Sequence, residues 1–181
     1  MDEKKMKIAF HETGHAVMAI NYRQAVEKVS LREISSPSGT DQYLGSTKLE
    51  QFDNSSTITI NEATRRIKIA LGGYASEIVM LGGAGIGGDD LVSAIRWAEM
   101  MMQSEDFRKV ADRLPAPKPE TLKMISDPRV RAVIDYQFEA CVAELHSLRP
   151  VIHLIAQKLY ESEELTGDQV TGLFKSMVRL D

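Results

Sequence analysis

Between residues 4 and 22, Met6, Ile8, Ala9, Ala16, Val17 and Ile20 recur at largely helical spacings among charged and polar neighbours, which predicts a first helix. Residues 27 to 34 then put Val29, Leu31 and Ile34 in a short, imperfect alternation. Residues 42 to 49 offer a second extended stretch, with the turn-forming SSPSGT of 35 to 40 between the two. Strands this short make a small sheet that helices must cover. From Asn61 the period returns to three and four through Ala63, Ile67, Ala70, Leu71, Ala75, Ile78 and Val79, until Gly82 to Gly88 (GGAGIGG) breaks it. Asp89 or Asp90 can cap a third helix, through Leu91, Ala94, Ile95, Ala98, Met101 and Met102, that runs to about Val110.

Pro115, Pro117 and Pro119 then force an extended, exposed loop. Ser126 with Pro128 opens a helix to about Leu148, and Pro150 restarts another to about Ser162. A final short helix begins at Thr166-Gly-Asp-Gln169, where a hydroxyl is followed three residues later by Gln, the capping-box pattern. The fold class expected is mainly α, with a small β-sheet near the N-terminal third.

Length and composition narrow the function. The 181 residues suit a single domain, 1–181, and 43% hydrophobic with 27% charged residues is ordinary for a globular chain. A net charge of −4 leaves no basic field for a phosphate backbone, so nucleic acid is not an expected partner. A lone Cys141 forms no internal disulfide and reads as a buried packing residue, which fits a cytoplasmic setting. No apolar run approaches the ~18 residues of a membrane span, and the charged start lacks the pattern of a signal peptide, so no direct membrane insertion is expected. No glycine-rich loop ends in Gly-Lys-Ser or Gly-Lys-Thr, so energy-coupled work would need a second polypeptide. Met100, Met101 and Met102 read as core and helix-face filler.

One stretch carries chemistry on its face: His11-Glu12-Thr13-Gly14-His15. Residues four apart share one side of a helix, so His11 and His15 can both aim imidazole nitrogens at a single ion, with Glu12 beside them. Zinc suits imidazole ligands and, in catalytic sites, keeps a position open for a water that Glu12 could deprotonate before passing the proton to a leaving amine. In a chain of this composition the pattern arises by chance in under roughly one per cent of cases. The bland alternative is a pair of surface histidines.

A third protein ligand is required. The longer motif with Gly and His three and six residues after His15 fails, because Met18 and Asn21 stand there. Glu33 and Glu62 offer carboxylates, but Glu62 reads as a first-turn acid on the helix dipole and Glu33 as a solvated strand residue. Asp89 and Asp90 follow a glycine-rich turn that can bring a short carboxylate close to another backbone; one can cap while the other coordinates, or both can serve the helix terminus. His146 and His153 lie far along the chain and read as surface or packing histidines.

These residues resemble those of the peptidase domain of the FtsH-type ATP-dependent zinc metalloproteases. Ile8-Ala9-Phe10 before His11 and Gly14-His15-Ala16 match that family's helix. Tyr43-Leu44-Gly45-Ser46-Thr47 is similar to its Leu-Gly-Tyr-Thr strand, and Leu71-Gly72-Gly73-Tyr74-Ala75-Ser76-Glu77 to its Leu-Gly-Gly-Arg segment, with Tyr74 in place of arginine. Gly87-Gly88-Asp89-Asp90-Leu91 falls on its Gly-Ala-Ser-Asn-Asp-Leu segment, and the similarity runs on through the closing helices. The family's Gly-Met-Ser segment is replaced by Met101-Met102-Gln103-Ser104-Glu105.

The resemblance implies that His11, His15 and Asp90 hold Zn2+, with Asp89 where the family has asparagine and Glu77 an outer or structural carboxylate. It further implies a metalloendopeptidase acting on unfolded polypeptide through Glu12-activated water. The family's motor, an AAA+ ATPase, and its membrane helices are not within these 181 residues: the sequence is either an excised piece of such a protein or a free-standing relative, for which a separate AAA+ ATPase is the partner implied. Rings of six are the assembly the family implies. The alternative is a zinc-binding interaction module of the same fold with weak or no catalysis.

Overall fold

The computed structural model describes residues 2–35, 41–51, 58–83, 88–118 and 125–178. Helix α1 (Glu3–Asn21) starts where the Asp2 carboxylate accepts the free backbone N–H groups of Lys4 and Lys5, at 2.8 and 3.1 Å. Strands β1 (Val26–Ser35) and β2 (Asp41–Leu49) pair antiparallel, as their alternation predicts; residues 36–40 of the expected turn lie outside the described residues. A third strand, β3 (Glu164–Thr166), pairs with the other side of β1, giving the order β2-β1-β3. Sequence reading does not anticipate β3, because three residues are too few to show an alternation. Its buried Leu165 finds Val29 only through a long-range contact.

Helix α2 (Ile60–Leu81) is capped by the Thr59 hydroxyl, which accepts from the Glu62 N–H, and it ends at Gly82 in the left-handed region, at φ 76°. Residues 84–87 of the predicted glycine-rich break lie outside the described residues. Helix α3 (Gly88–Met101) follows, and here two expectations need correction. Asp89 and Asp90 are the second and third residues of the helix, inside its first turn and past the N-cap position. The helix also stops at Met101, and a separate α4 (Glu105–Ala111) begins after a turn at 102–104. Apolar periodicity hides that break because Met101, Met102 and Phe107 are all buried in the same core. What restarts the helix is local: Ser104 is extended and Glu105 and Asp106 place negative charge in the new first turn.

Residues 115–118, which include Pro115 and Pro117, adopt neither helix nor strand; Pro119 lies outside the described residues. Helix α5 (Pro128–Ser147) has Pro in its first turn and Asp127, not Ser126, as its cap, through a 2.8 Å bond from the Arg129 N–H. Helix α6 (Arg149–Ser162) carries Pro150 in its first turn, and α7 (Gly167–Met177) has the predicted capping box, with Thr166 and Gln169 exchanging bonds of 2.8 and 3.3 Å. The described residues thus form seven helices and one three-stranded antiparallel sheet. No helix among them is long and apolar enough to cross a membrane.

Helix α1 packs against α2, α6 and the sheet, and α2 against α3 and α5. The core contains Val17 and Met18 of α1, Ile67 and Leu71 of α2, Ile152, Ile155 and Leu159 of α6 and Phe174 of α7, all fully buried. Each such side chain contributes about 1.5–3 kcal/mol by leaving water. At the α1–α2 crossing the backbones touch: a Cβ on Gly14 would lie 2.3 Å from the Gly72 carbonyl oxygen, and one on Gly72 would lie 2.8 Å from that of Gly14. The Ser76 hydroxyl donates across the same crossing to the Phe10 carbonyl at 2.7 Å. Two glycines inside helices each cost about 0.5–1 kcal/mol of helix stability relative to alanine, and the close approach they allow brings the middle of α1 against the middle of α2.

Candidate metal centre

The i, i+4 spacing on α1 sets His11 and His15 side by side, their Nε2 atoms 3.1 Å apart. The first turn of α3 brings the Asp90 Oδ2 to 3.0 Å from His11 Nε2 and 3.2 Å from His15 Nε2. Among the described residues these three form a group able to hold one metal ion, with one ligand atom from each and all within 4.8 Å of one another.

The opposite ring nitrogens decide what the facing pair can do. His15 Nδ1 lies 2.8 Å from the Ile69 carbonyl oxygen and His11 Nδ1 lies 2.7 Å from Glu77 Oε1. A carbonyl and a carboxylate only accept, so both Nδ1 atoms carry hydrogen, and in the neutral rings both Nε2 atoms present lone pairs. Two lone pairs and a carboxylate oxygen converging on one point repel unless a cation or a shared proton stands between them. The donor set of two imidazoles and one carboxylate suits zinc, and carboxylate or carbonyl partners behind the ligands fix the ring orientation.

The titration of the metal-free cluster follows from the same crowding. Burial pushes the His11 imidazole down, but hydrogen bonds to Asp90 and Glu77 and the nearby Glu12 charge outweigh it and raise its pKa to about 9. Burial pushes the Asp90 carboxyl up, and the two imidazoles overcome this and hold it far below the usual carboxylate range. Glu77 is likewise lowered against burial by His11 and by Lys7, whose Nζ lies 3.1 Å from Oε2.

Space for the pair is made by Gly73, where a Cβ would stand 2.5 Å from His11 Nε2 and 2.6 Å from His15 Nε2. The Tyr74 ring meets the His11 ring edge-on, centroids 4.9 Å apart. Glu12, next along α1, is buried against β2, where the Thr47 hydroxyl lies 2.8 Å from its Oε2 and 2.9 Å from its backbone carbonyl oxygen. Gly45 leaves room for this carboxylate, since a Cβ there would fall 2.4 Å from its Oε1.

Glu12, His15 and Asp90 line one cleft of about 460 Å³ together with Thr47, Leu49 and Trp97. The other candidates fall elsewhere. Glu62 pairs with Arg65 and Arg66 at 2.5 and 2.9 Å. Glu33 lies in β1, and His146 and His153 are exposed on α5 and α6. Asp89 is exposed at the cleft rim, and Glu77 stands behind His11, on the Nδ1 side. Cys141 is buried, which pushes its thiol up to about 12.

The Ile69 carbonyl and the Arg66–Trp97 wall of the cleft escape sequence reading. The first is a backbone group, invisible in side-chain identity. The second had a signal, because Asp90, Ser93 and Trp97 share one face of α3 at i, i+3 and i+7, and Arg66, Ile69, Ala70 and Gly73 share one face of α2.

The description of peptidase family M41 matches residues 1–173. The chain is similar to the ATP-dependent zinc metalloprotease FtsH of Chloroflexus aggregans, with 23% identity over 96% of this chain and 29% of the relative. FtsH 2 of Symbiobacterium thermophilum is 29% identical over 96% of this chain and 31% of the relative, and the chloroplastic FTSH 1 of Arabidopsis thaliana 24% over 96% and 27%. The chain thus spans less than a third of the length of the curated relatives it matches.

Proposed function

The chain belongs to peptidase family M41, and from that premise we propose that residues 1–181 form one zinc metalloendopeptidase domain that cleaves unfolded polypeptides. The observation that carries the reading is the convergence of two imidazole lone pairs and the Asp90 carboxylate beside a buried Glu12. His11, His15 and Asp90 would hold the zinc, which when bound polarises a carbonyl and makes a nearby water more acidic.

The remaining work falls to the chain's own side chains. Glu12 accepts the proton of the attacking water at its carboxylate and returns it to the departing amine. Thr47, 2.8 Å from Glu12 Oε2, keeps that carboxylate turned toward the cleft. Glu77 and the Ile69 carbonyl hold the Nδ1 hydrogens of His11 and His15, so both rings keep their Nε2 lone pairs for the metal. Strand β2 pairs with β1 on one side, and among the described residues no strand covers its other side. An extended substrate can pair there through its backbone, which gives affinity with little demand on sequence. Unfolded substrate implies an unfoldase, and the ATP dependence in the relatives' names supports an AAA+ ATPase as the partner.

The test is cleavage of a denatured protein by the zinc-loaded chain, with and without a chelator, beside Glu12→Gln. Chelation and the Gln substitution should each lower turnover by about a hundredfold or more. Equal cutting by Glu12→Gln sinks the mechanism, and one metal per chain without turnover identifies a zinc-binding module instead.

A further inference from the structure

The cleft does not end at the candidate metal centre. Beyond Glu12, His15 and Asp90 it continues between Leu49 of β2, Ile69 and Ala70 of α2 and Trp97 of α3, with Ser93 and Asp89 at its rim. Trp97 is not a loosely hung ring: the Arg66 guanidinium lies over its face, 4.3 Å from the ring centroid. Arg66 is itself nearly buried, 5% exposed, and its Nε donates to Glu62 Oε1 at 2.9 Å. A buried guanidinium anchored to a carboxylate on one side and stacked on an indole on the other holds that indole in a single orientation.

We propose that Trp97, positioned by Arg66 and Glu62, is the specificity-determining wall of a side-chain subsite beside the metal centre, and that this subsite selects an apolar residue next to the scissile bond and rejects an acidic one. The inference rests on the peptidase reading. Its chemistry comes from the lining. Leu49, Ile69, Ala70 and the indole supply apolar surface to an aliphatic or aromatic side chain. The only Lys or Arg lining the cleft among the described residues is Arg66, already paired with Glu62, while the Asp89 carboxylate stands exposed at the rim. An acidic side chain would therefore lose its hydration beside the Asp89 carboxylate, with no free basic side chain among the described lining residues to receive it.

Trp97 is the chain's single tryptophan, so its emission reports occupancy of the subsite without turnover. Short peptides identical except for one central residue (Leu, Phe, Gly or Asp) are titrated into the zinc-loaded Glu12→Gln chain while that emission is followed, and are then given to the zinc-loaded wild type. The Leu and Phe peptides should shift the emission and be cut at the bond beside that residue about tenfold or more faster than the Asp peptide. Trp97→Leu, which keeps an apolar side chain in place, and Arg66→Met, which frees the indole, should each reduce the Phe-over-Asp ratio by about tenfold in kcat/KM, with zinc content unchanged. Equal rates for all four peptides, or a ratio that Trp97→Leu and Arg66→Met both leave intact, overturns the subsite. If the Leu and Phe peptides shift Trp97 emission and none is cut by the wild type, the subsite is supported and the peptidase reading fails. Silence in both readouts overturns both.

Discussion

Gly73 stands directly against His11: a single methyl carbon at residue 73 would sit 2.5 Å from the imidazole Nε2, closer than any real Cβ contact. Helix α2 therefore has no side chain at the one point where the metal centre needs room. Gly73→Ala should weaken zinc binding by about tenfold or more, because the rings must turn away from their Nδ1 partners. The helix itself gains from the change, since alanine is favoured over glycine in a helix interior by about 0.5–1 kcal/mol. Chelator competition against far-UV circular dichroism checks this. Tight zinc binding by Gly73→Ala would contradict the geometry.

Zinc affinity should climb with pH. In the metal-free chain His11 holds a proton up to about pH 9, above its ordinary 6.5, because Asp90, Glu77 and Glu12 outweigh the opposing effect of burial. Below that pH zinc must displace the proton, so apparent affinity rises about tenfold per pH unit and levels off near 9. The sign is opposite for the metal-free fold, since a raised His pKa contributes stability that is full below about 6.5 and lost as pH rises through 9. Calorimetry at pH 7 in buffers of different ionisation enthalpy should show about one proton released per zinc bound.

Thr47→Val keeps the shape of the side chain and removes the hydroxyl that reaches Glu12 Oε2. A lost hydrogen bond to a charged group is worth about 1.5–3 kcal/mol, so kcat should fall by about tenfold to a hundredfold. Zinc content should not change, because Thr47 is not among the group able to hold the metal. Steady-state kinetics with metal analysis separates the two, and a loss of zinc in Thr47→Val would count against this division of labour.

Cys141 should be silent to thiol reagents in the native state. It is buried, its Sγ donates to the Lys68 carbonyl at 3.6 Å, and burial lifts the thiol to about 12. Little thiolate exists at neutral pH. Labelling should follow global unfolding in denaturant, and rapid labelling of the native chain would show the α2–α5 packing to be looser than described.

Much of this molecule is written locally. The capping box at Thr166, the prolines that open α5 and α6 and the apolar stripes of α1 and α2 depend on neighbours a few residues apart, and each appears where sequence places it. Expectations failed where the deciding partner was distant or the local pattern was silent. Strand β3 exists because Leu165 reaches Val29, and α3 stops at Met101 although the apolar residues continue through the turn. Asp89 and Asp90 are indistinguishable as neighbours in one first turn; the packing of α3 against α2 and α5 leaves one on the cleft rim and turns the other to the imidazoles.

His-Glu-x-x-His on an amphipathic helix determined by itself that two imidazoles share a face, since helical spacing follows from backbone geometry alone. Tertiary structure decided what they face. The Gly14–Gly72 contact lets α2 approach closely enough for the Ile69 carbonyl and the Glu77 carboxylate to hold both Nδ1 hydrogens, and the first turn of α3 adds the Asp90 oxygen from the open side. Each of those groups comes from more than fifty residues away, and only packing free energy, summed over the whole core, brings them within hydrogen-bond distance of His11 and His15.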